Sequence, residues 1–191
     1  MLKAIIINLF YRSNSKKIKY LRSKGVGIGK NCSLYNKISD FSTEPYLISI
    51  GDNVTITSGV KLLTHDGGMR VLIKSGFLEK ADKFGKITIG NNVFIGLNTI
   101  VLPNVTIGDN CVIGAGSIVT KSLDSNSVYA GNPARFICTL EDYYNKNKDL
   151  ILQTRGLSVN EKKAIILKEF KWLKVKIWII WNLNFLRTVY F

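Results

Sequence analysis

From residue 89 an aliphatic side chain returns every six residues, at Ile89, Ile95, Val101, Ile107, Ile113 and Val119. The position four further on is mostly small or β-branched (Val93, Thr99, Val105, Cys111, Ser117), and glycine often follows the aliphatic residue (Gly90, Gly96, Gly108, Gly114). Ile50, Ile56 and Leu62, with Val54 and Val60, repeat the pattern upstream; Ile28 and Leu34, with Cys32 and Ile38, extend it less clearly. A period of six fits neither the 3.6-residue turn of an α-helix nor the alternation of a two-faced strand. It fits a short strand and a turn taken repeatedly, three such units closing a triangular coil whose aliphatic columns stack along one axis. Gly-Asp-Asn and Gly-Asn-Asn triplets at 51–53, 90–92 and 108–110 fall at the corners, where residues that tolerate a left-handed backbone are needed. The expected fold class is mainly β.

This repeat resembles that of the hexapeptide-repeat acyltransferases, and the resemblance implies a left-handed parallel β-helix, an exception to the usual right-handed crossover. It covers residues 26–65 and 87–137 of the 191. The chain therefore reads as a basic N-terminal arm at 1–25, a β-helix domain at 26–137 and a C-terminal helical arm at 138–191. An excursion at 66–86 interrupts the β-helix. The same solenoid also serves carbonic anhydrases, nucleotidyltransferases and scaffold subunits, so fold alone does not fix a reaction.

The net charge of +14 sits in the arms: residues 1–39 hold nine Lys or Arg and no acid, residues 40–145 eight against ten, and residues 146–191 ten against three. Such arms suit an anionic surface, and a membrane is favoured here over nucleic acid. The tail KWLKVKIWIIWNLNFLRTVYF interleaves cations with Trp, Ile and Leu and has no apolar run long enough to span a bilayer. It reads either as an interfacial helix or as one that packs on its own protein or a sister subunit. The run AIIINLF leads into YRSNSKK without a small-residue cleavage site, so no secretory signal is expected. Cys32, Cys111 and Cys138 form no CxxC pair and no even-numbered framework, which favours a reduced, cytoplasmic setting.

The one histidine, His65, ends the first block of the repeat, and the excursion opens on Asp66-Gly67-Gly68 directly after it. Long loops inside a regular domain are commonly functional. Three histidines would be needed for the zinc site of a β-helical carbonic anhydrase, so no metal is expected. Residues 1–25 are too short for the α/β domain of a nucleotidyltransferase or the helical region of a serine acetyltransferase. Acyl transfer from a thioester to an alcohol or amine remains, and imidazole is the general base most readily available near neutral pH, which makes His65 the candidate base. Asp66 is either an orienting group or acceptor contact, or a loop turn former. Asn36, Asp40, Glu44 and Tyr46 precede the same corner and are candidate acceptor-pocket residues.

Further roles come from the resemblance. The excursion is similar to the acceptor loop of galactoside, maltose and xenobiotic O-acetyltransferases, whose catalytic histidine sits at the same place in the repeat. A backbone amide just after Gly96, in FIGLNT, is the implied oxyanion donor, with Leu97 where relatives often have a small residue. The stretch GAGSIVTKSLDSNSVYAGNPARFI looks like their acetyl-CoA-binding end, with Ala115 against the pantetheine arm, Thr120 and Lys121 at pantetheine or phosphates, and Arg135 at the nucleotide phosphates. Independently of the family, Lys121 and Arg135 are the only cations between 87 and 145, and phosphate is a fitting partner for them. Gly131-Asn132-Pro133 closes the solenoid, and the segment from there through Tyr144 reads as helical.

The reading is an acetyl-CoA-dependent acetyltransferase without a covalent intermediate. STEPYLISIGDNVTITSGVKLLTHDGG resembles O-acetyltransferases of bacterial capsule, lipopolysaccharide and exopolysaccharide assembly, so the expected acceptor is a carbohydrate, presented at the inner face of the plasma membrane. The family implies a homotrimer with the coenzyme site between subunits. Alternatives are N-acetylation of an amino-sugar nucleotide or another small acceptor, and a non-catalytic membrane-bound scaffold.

Overall fold

The computed structural model describes residues 13–170; the extreme N-terminal residues and most of the aromatic tail lie outside that range. The chain divides into two compact units, 1–145 and 146–191.

Within the first unit the chain rotates through three parallel sheets, taking all three faces in turn from Ile48–Ile50 to Ile118–Val119. One face stacks Gly27–Ile28, Ile48–Ile50, Ile87–Ile89 and Val105–Ile107; the second stacks Ser33–Leu34, Thr55–Ile56, Phe94–Ile95, Val112–Ile113 and Ser127–Ala130; the third stacks Lys61–Leu62, Ile100–Val101 and Ile118–Val119. The register aligns the repeat with itself. Ile50, Ile89 and Ile107 are paired on the first face, Ile56, Ile95 and Ile113 on the second, and Leu62, Val101 and Val119 on the third. All nine are at most 3% exposed. Burying such a side chain contributes about 1.5–3 kcal/mol, so every added coil extends the core by three inward aliphatics. The fourth positions also point inward; the two that are polar, Thr99 and Ser117, donate to Gly96 O (2.8 Å) and Gly114 O (2.6 Å).

One corner carries two hydrogen-bond ladders. Asn31, Asn53, Asn92, Asn110 and Asn126 all have φ between 55° and 58°. Each of the first four donates its amide to the next Oδ1, at 3.2, 3.0, 3.0 and 2.8 Å. Beside them Asp52, Asn91, Asp109 and Ser125 each accept the backbone N–H of the neighbouring coil, at 2.6–2.9 Å. The left-handed residues of the triplets are thus the asparagines, whose short polar side chains tolerate αL. The glycines serve clearance instead: a Cβ on Gly90 would collide with Asp109 and the Gly108 backbone.

The first coil has no third-face strand. A 3-10 turn, Ile38–Phe41, takes that side and buries Phe41. Helix α1 (Asn14–Ser23), the described part of the N-terminal arm, packs against Gly27–Ile28 and Ser33–Leu34 of this coil, with Leu21 buried and Lys17 Nζ donating to Leu34 O (2.9 Å) and Asn36 O (2.6 Å). Burial lowers the Lys17 pKa, opposed by the charge of Asp40. The excursion is partly ordered: His65–Asp66 pairs antiparallel with Lys83–Phe84, helix α2 (Met69–Lys74) lies between them, and Gly85 N–H donates to Thr64 O (2.8 Å) where the repeat resumes.

At the far end the structure corrects the expected helix after Pro133. Arg135–Thr139 is a strand, antiparallel to Ser127–Ala130, with Phe136 packed edge-on against Tyr129 at 5.9 Å. Ser127–Ala130 would otherwise leave its ladder groups open, and the aromatic and β-branched segment pairs with them. The boundary placed at 137/138 therefore falls inside a strand. Helix α3 (Leu140–Asn147) begins only where Thr139 Oγ1 accepts the Asp142 N–H at 3.0 Å.

In the second unit, helix α4 (159–170) starts at a reciprocal cap: Ser158 N–H donates to Glu161 Oε2 (2.8 Å) and Glu161 N–H to Ser158 Oγ (3.3 Å). Among the described residues no helix is long and apolar enough to cross a membrane. The tail from 171, on which the interfacial-helix expectation rests, lies outside them.

Candidate active site

His65 leaves the third face at the corner that follows Lys61–Leu62. Thr64 points inward and is fully buried, so strand alternation turns His65 outward, where its side chain is 45% exposed. Phe84 stands directly opposite it in the short hairpin, with ring centroids 6.5 Å apart and planes at 67°. The cleft in front, about 390 Å³, is lined by Thr43, Glu44, His65, Asp66, Gly67, Met69, Arg70, Asp82 and Phe84.

The imidazole is held by a carboxylate. Glu44 Oε2 lies 3.1 Å from His65 Nδ1 and accepts from Thr64 Oγ1 at 3.0 Å, while Glu44 Oε1 accepts from Thr43 Oγ1 at 2.6 Å. The Thr43 and Thr64 hydroxyls and the imidazole hold the Glu44 pKa below its ordinary 4.5, against partial burial. An ionised carboxylate can only accept, so the Nδ1 facing it carries the proton. Thr43 Oγ1, 3.3 Å from the same nitrogen, has given its one proton to Glu44 and can only accept there too. In the neutral ring it is then Nε2 that holds the lone pair.

Asp66 does not orient the ring. Its Oδ1 accepts the Gly68 N–H (2.9 Å) and its Oδ2 pairs with Lys83 (3.2 Å), which together hold its pKa low. Neighbours on a strand point apart, and here the second one meets its cross-strand partner. Asp66 still lines the cleft wall.

Asn36 and Asp40 do not line the cleft. Asn36 is 1% exposed and donates to Val60 O at 3.2 Å; Asp40 is 7% exposed, accepts the Lys37 N–H at 2.8 Å and pairs with Lys61 at 3.3 Å. Both are turned inward in the first coil, where the Asn36 Oδ1 has no hydrogen-bond partner among the described residues. Tyr46 covers Gly25 instead of the cleft, and of the four candidates before the corner only Glu44 reaches the imidazole.

The residues assigned by resemblance to the coenzyme fall in three places. Gly96, Leu97 and Ala115 stack at the corner between second and third faces: Leu97 O accepts the Gly116 N–H at 2.7 Å, and a Cβ on Gly96 would strike the Ala115 backbone. The Leu97 and Ala115 N–H groups find no acceptor within the described chain. Thr120 and Lys121 follow Val119, at the same corner column as His65 but two coils along, roughly 10 Å at ordinary strand spacing. Arg135 is exposed on the edge strand, where its Nη1 donates to Ala134 O (3.1 Å), and among the described residues neither Lys121 nor Arg135 has an ion-pair partner. Among the described residues no three His, Cys, Asp or Glu side chains group as metal ligands.

Residues 86–121 match the family profile described as bacterial transferase hexapeptide (six repeats). Protein CapG of Staphylococcus aureus is 47% identical over 171 residues, 89% of this chain and 97% of that protein. The galactoside O-acetyltransferase of Escherichia coli is 42% identical over 127 residues, 64% of this chain and 60% of the enzyme. In fold, the chain is similar to the crystal structure of a hexapeptide-repeat acetyltransferase from Vibrio cholerae, with a TM-score of 0.50 and 19% identity over 72% of this chain and 86% of that one. The rotating three-faced coil, the six-residue register and these relatives together establish that the chain belongs to the hexapeptide-repeat acyltransferase family.

Proposed function

We propose that the protein is an acetyl-CoA-dependent O-acetyltransferase acting on a sugar hydroxyl of a bacterial surface-glycan precursor. The observation that carries this reading is the Glu44–His65 pair, which leaves Nε2 as a base in an open cleft.

In the reaction the acceptor O–H gives its proton to His65 Nε2 while its oxygen attacks the thioester carbonyl. Glu44 stabilises the imidazolium that forms. The tetrahedral oxyanion is met by backbone N–H groups, for which the free Leu97 amide beside Gly96 is the candidate donor. Collapse breaks the C–S bond, the departing thiolate takes the proton back from Nε2, and a sugar ester and free CoA leave. Ala115 and Thr120 would line the pantetheine arm, and unpaired Lys121 and Arg135 would hold phosphates. The two corners that carry these groups sit on opposite edges of the third face, which supports a site completed between subunits of a homotrimer.

The galactoside O-acetyltransferase relative and the glycan-assembly resemblance of the STEPYLISIGDN stretch support the acceptor class. The cations of the arms support peripheral contact with the inner face of an anionic membrane, where lipid-linked sugars are presented.

Thiol release from acetyl-CoA, measured over a panel of sugars, tests the reading. The wild type releases CoA with at least one hydroxyl acceptor, and His65→Ala lowers kcat about 10²–10⁴-fold without unfolding the protein. Equal turnover by both would remove the base, and an amide product would replace O- by N-acetylation.

A further inference from the structure

The acceptor cleft holds more than the dyad. Among its lining side chains Glu44 is fully engaged by Thr43, Thr64 and His65, and Asp66 by Gly68 and Lys83. Two charged groups are left with no partner in the described structure: the Asp82 carboxylate and the Arg70 guanidinium, which line the same cleft without pairing to each other. Phe84 lines the same cleft, 49% exposed although it is the direct cross-strand partner of His65. Half of an aromatic ring is thus left open in a polar cleft, tied by the hairpin to the imidazole.

We propose, resting on the O-acetyltransferase reading, that Phe84 is the platform on which the acceptor's pyranose ring stacks through its apolar C–H face, with Asp82 and Arg70 gripping ring hydroxyls. These are specificity-determining residues, and they select an uncharged sugar. Asp82 and Phe84 both line the cleft, while Lys83 between them turns to Asp66. The charges of Asp82 and Arg70 sum to zero. A uronate would bring a second anion against Asp82, whereas neutral hydroxyls can donate to the carboxylate and accept from the guanidinium. Because Phe84 and His65 are locked in register, a ring stacked on one is presented to the other at a set height, which reduces the orientational freedom lost in the transition state.

The test uses the full chain, acetyl-CoA, and two probe sets: methyl β-D-galactopyranoside and methyl β-D-glucopyranoside as neutral acceptors, and methyl β-D-glucuronide as the anionic one. Two readouts run in parallel, CoA release and saturation-transfer NMR on the sugar without acetyl-CoA. At least one neutral glycoside is expected to bind with its strongest saturation on one ring face. Phe84→Leu raises the KM for that glycoside about threefold to tenfold, the range of an aromatic contact beyond its buried area, and leaves the KM for acetyl-CoA as an internal control. Phe84→Tyr, which keeps the ring, restores it, and Asp82→Asn weakens the neutral glycoside but narrows the gap to the glucuronide. A Phe84→Leu protein with unchanged glycoside binding, or a wild type that prefers the glucuronide, overturns the proposal. Sugar binding that depends on Phe84 with no CoA release from any acceptor sustains the platform and sinks the acetyltransferase reading instead; histidine-dependent release to an acceptor that ignores Phe84 does the reverse.

Discussion

Glu44 Oε2 of the first coil and His65 Nδ1 at the end of the second lie 3.1 Å apart, and the same oxygen also takes the Thr64 hydroxyl. The carboxylate therefore sets which ring nitrogen is protonated. Glu44→Gln keeps the shape and removes the compulsion: an amide can offer N–H to Nδ1, which stabilises the tautomer with its proton on Nε2, the wrong one for a base. The expected result is a fall in kcat of about 10²–10⁴-fold, comparable to losing the base itself, with the KM for acetyl-CoA little changed. Steady-state kinetics on the variant decide it. Activity within a few-fold of wild type would mean that the ring needs no carboxylate.

The same contacts give a pH signature in stability. Hydroxyl and imidazole donors hold the Glu44 pKa in the folded protein below its ordinary 4.5, so the unfolded chain takes up the proton more readily. Stability supplied by this group is fully present above the unfolded value and is lost as pH falls through the folded one. The wild-type melting temperature should thus fall more steeply than that of Glu44→Gln once the pH drops below about 4.5. Parallel melting curves across that window would show that the anion contributes nothing to the fold.

The asparagine ladder separates two costs at one residue. Asn92 sits at φ 56° and is bonded to Asn53 and Asn110 at 3.0 Å each. Alanine there bears both the left-handed strain, about 1–2 kcal/mol, and the loss of two exposed hydrogen bonds. Glycine bears only the second. Urea denaturation should show Asn92→Ala losing about 2–3 kcal/mol and Asn92→Gly roughly half of that. Equal losses would assign the whole effect to the ladder.

The solenoid was legible because its inward positions repeat: Ile89, Ile95 and Val101 announce three faces, and the paired columns in the structure are the same residues carried forward by whole coils. His65 was legible because it stands where that beat breaks. Glu44 was visible only as a residue near the corner. Its coil replaces the third strand with 3-10 turns at Ile38–Phe41 and Pro45–Leu47, so counting by sixes no longer says which side chain meets which. Asp40 and Asn36 were misplaced for the same reason, since the irregular coil turns both inward. The strand at Arg135–Thr139 escaped because it pairs antiparallel, after the repeat has ended, with an edge the repeat itself creates.

Clearance between coils should be as stringent as the core. The Gly90 Cα faces Asp109 and Gly108 of the next coil with no room for a methyl group, and the neighbouring Asn91 N–H donates to Asp109 Oδ1 at 2.6 Å. Gly90→Ala must either part the two coils or displace that carboxylate, and its backbone neighbours cannot yield as a side-chain tip could. A loss of about 1–3 kcal/mol follows from such overpacking. Gly67, in the excursion, has open space where its Cβ would be, so Gly67→Ala should stay within about 0.5 kcal/mol of wild type. Denaturation midpoints for the pair test the stacking itself: if the two substitutions cost the same, adjacent coils are not held as closely as their ladders require.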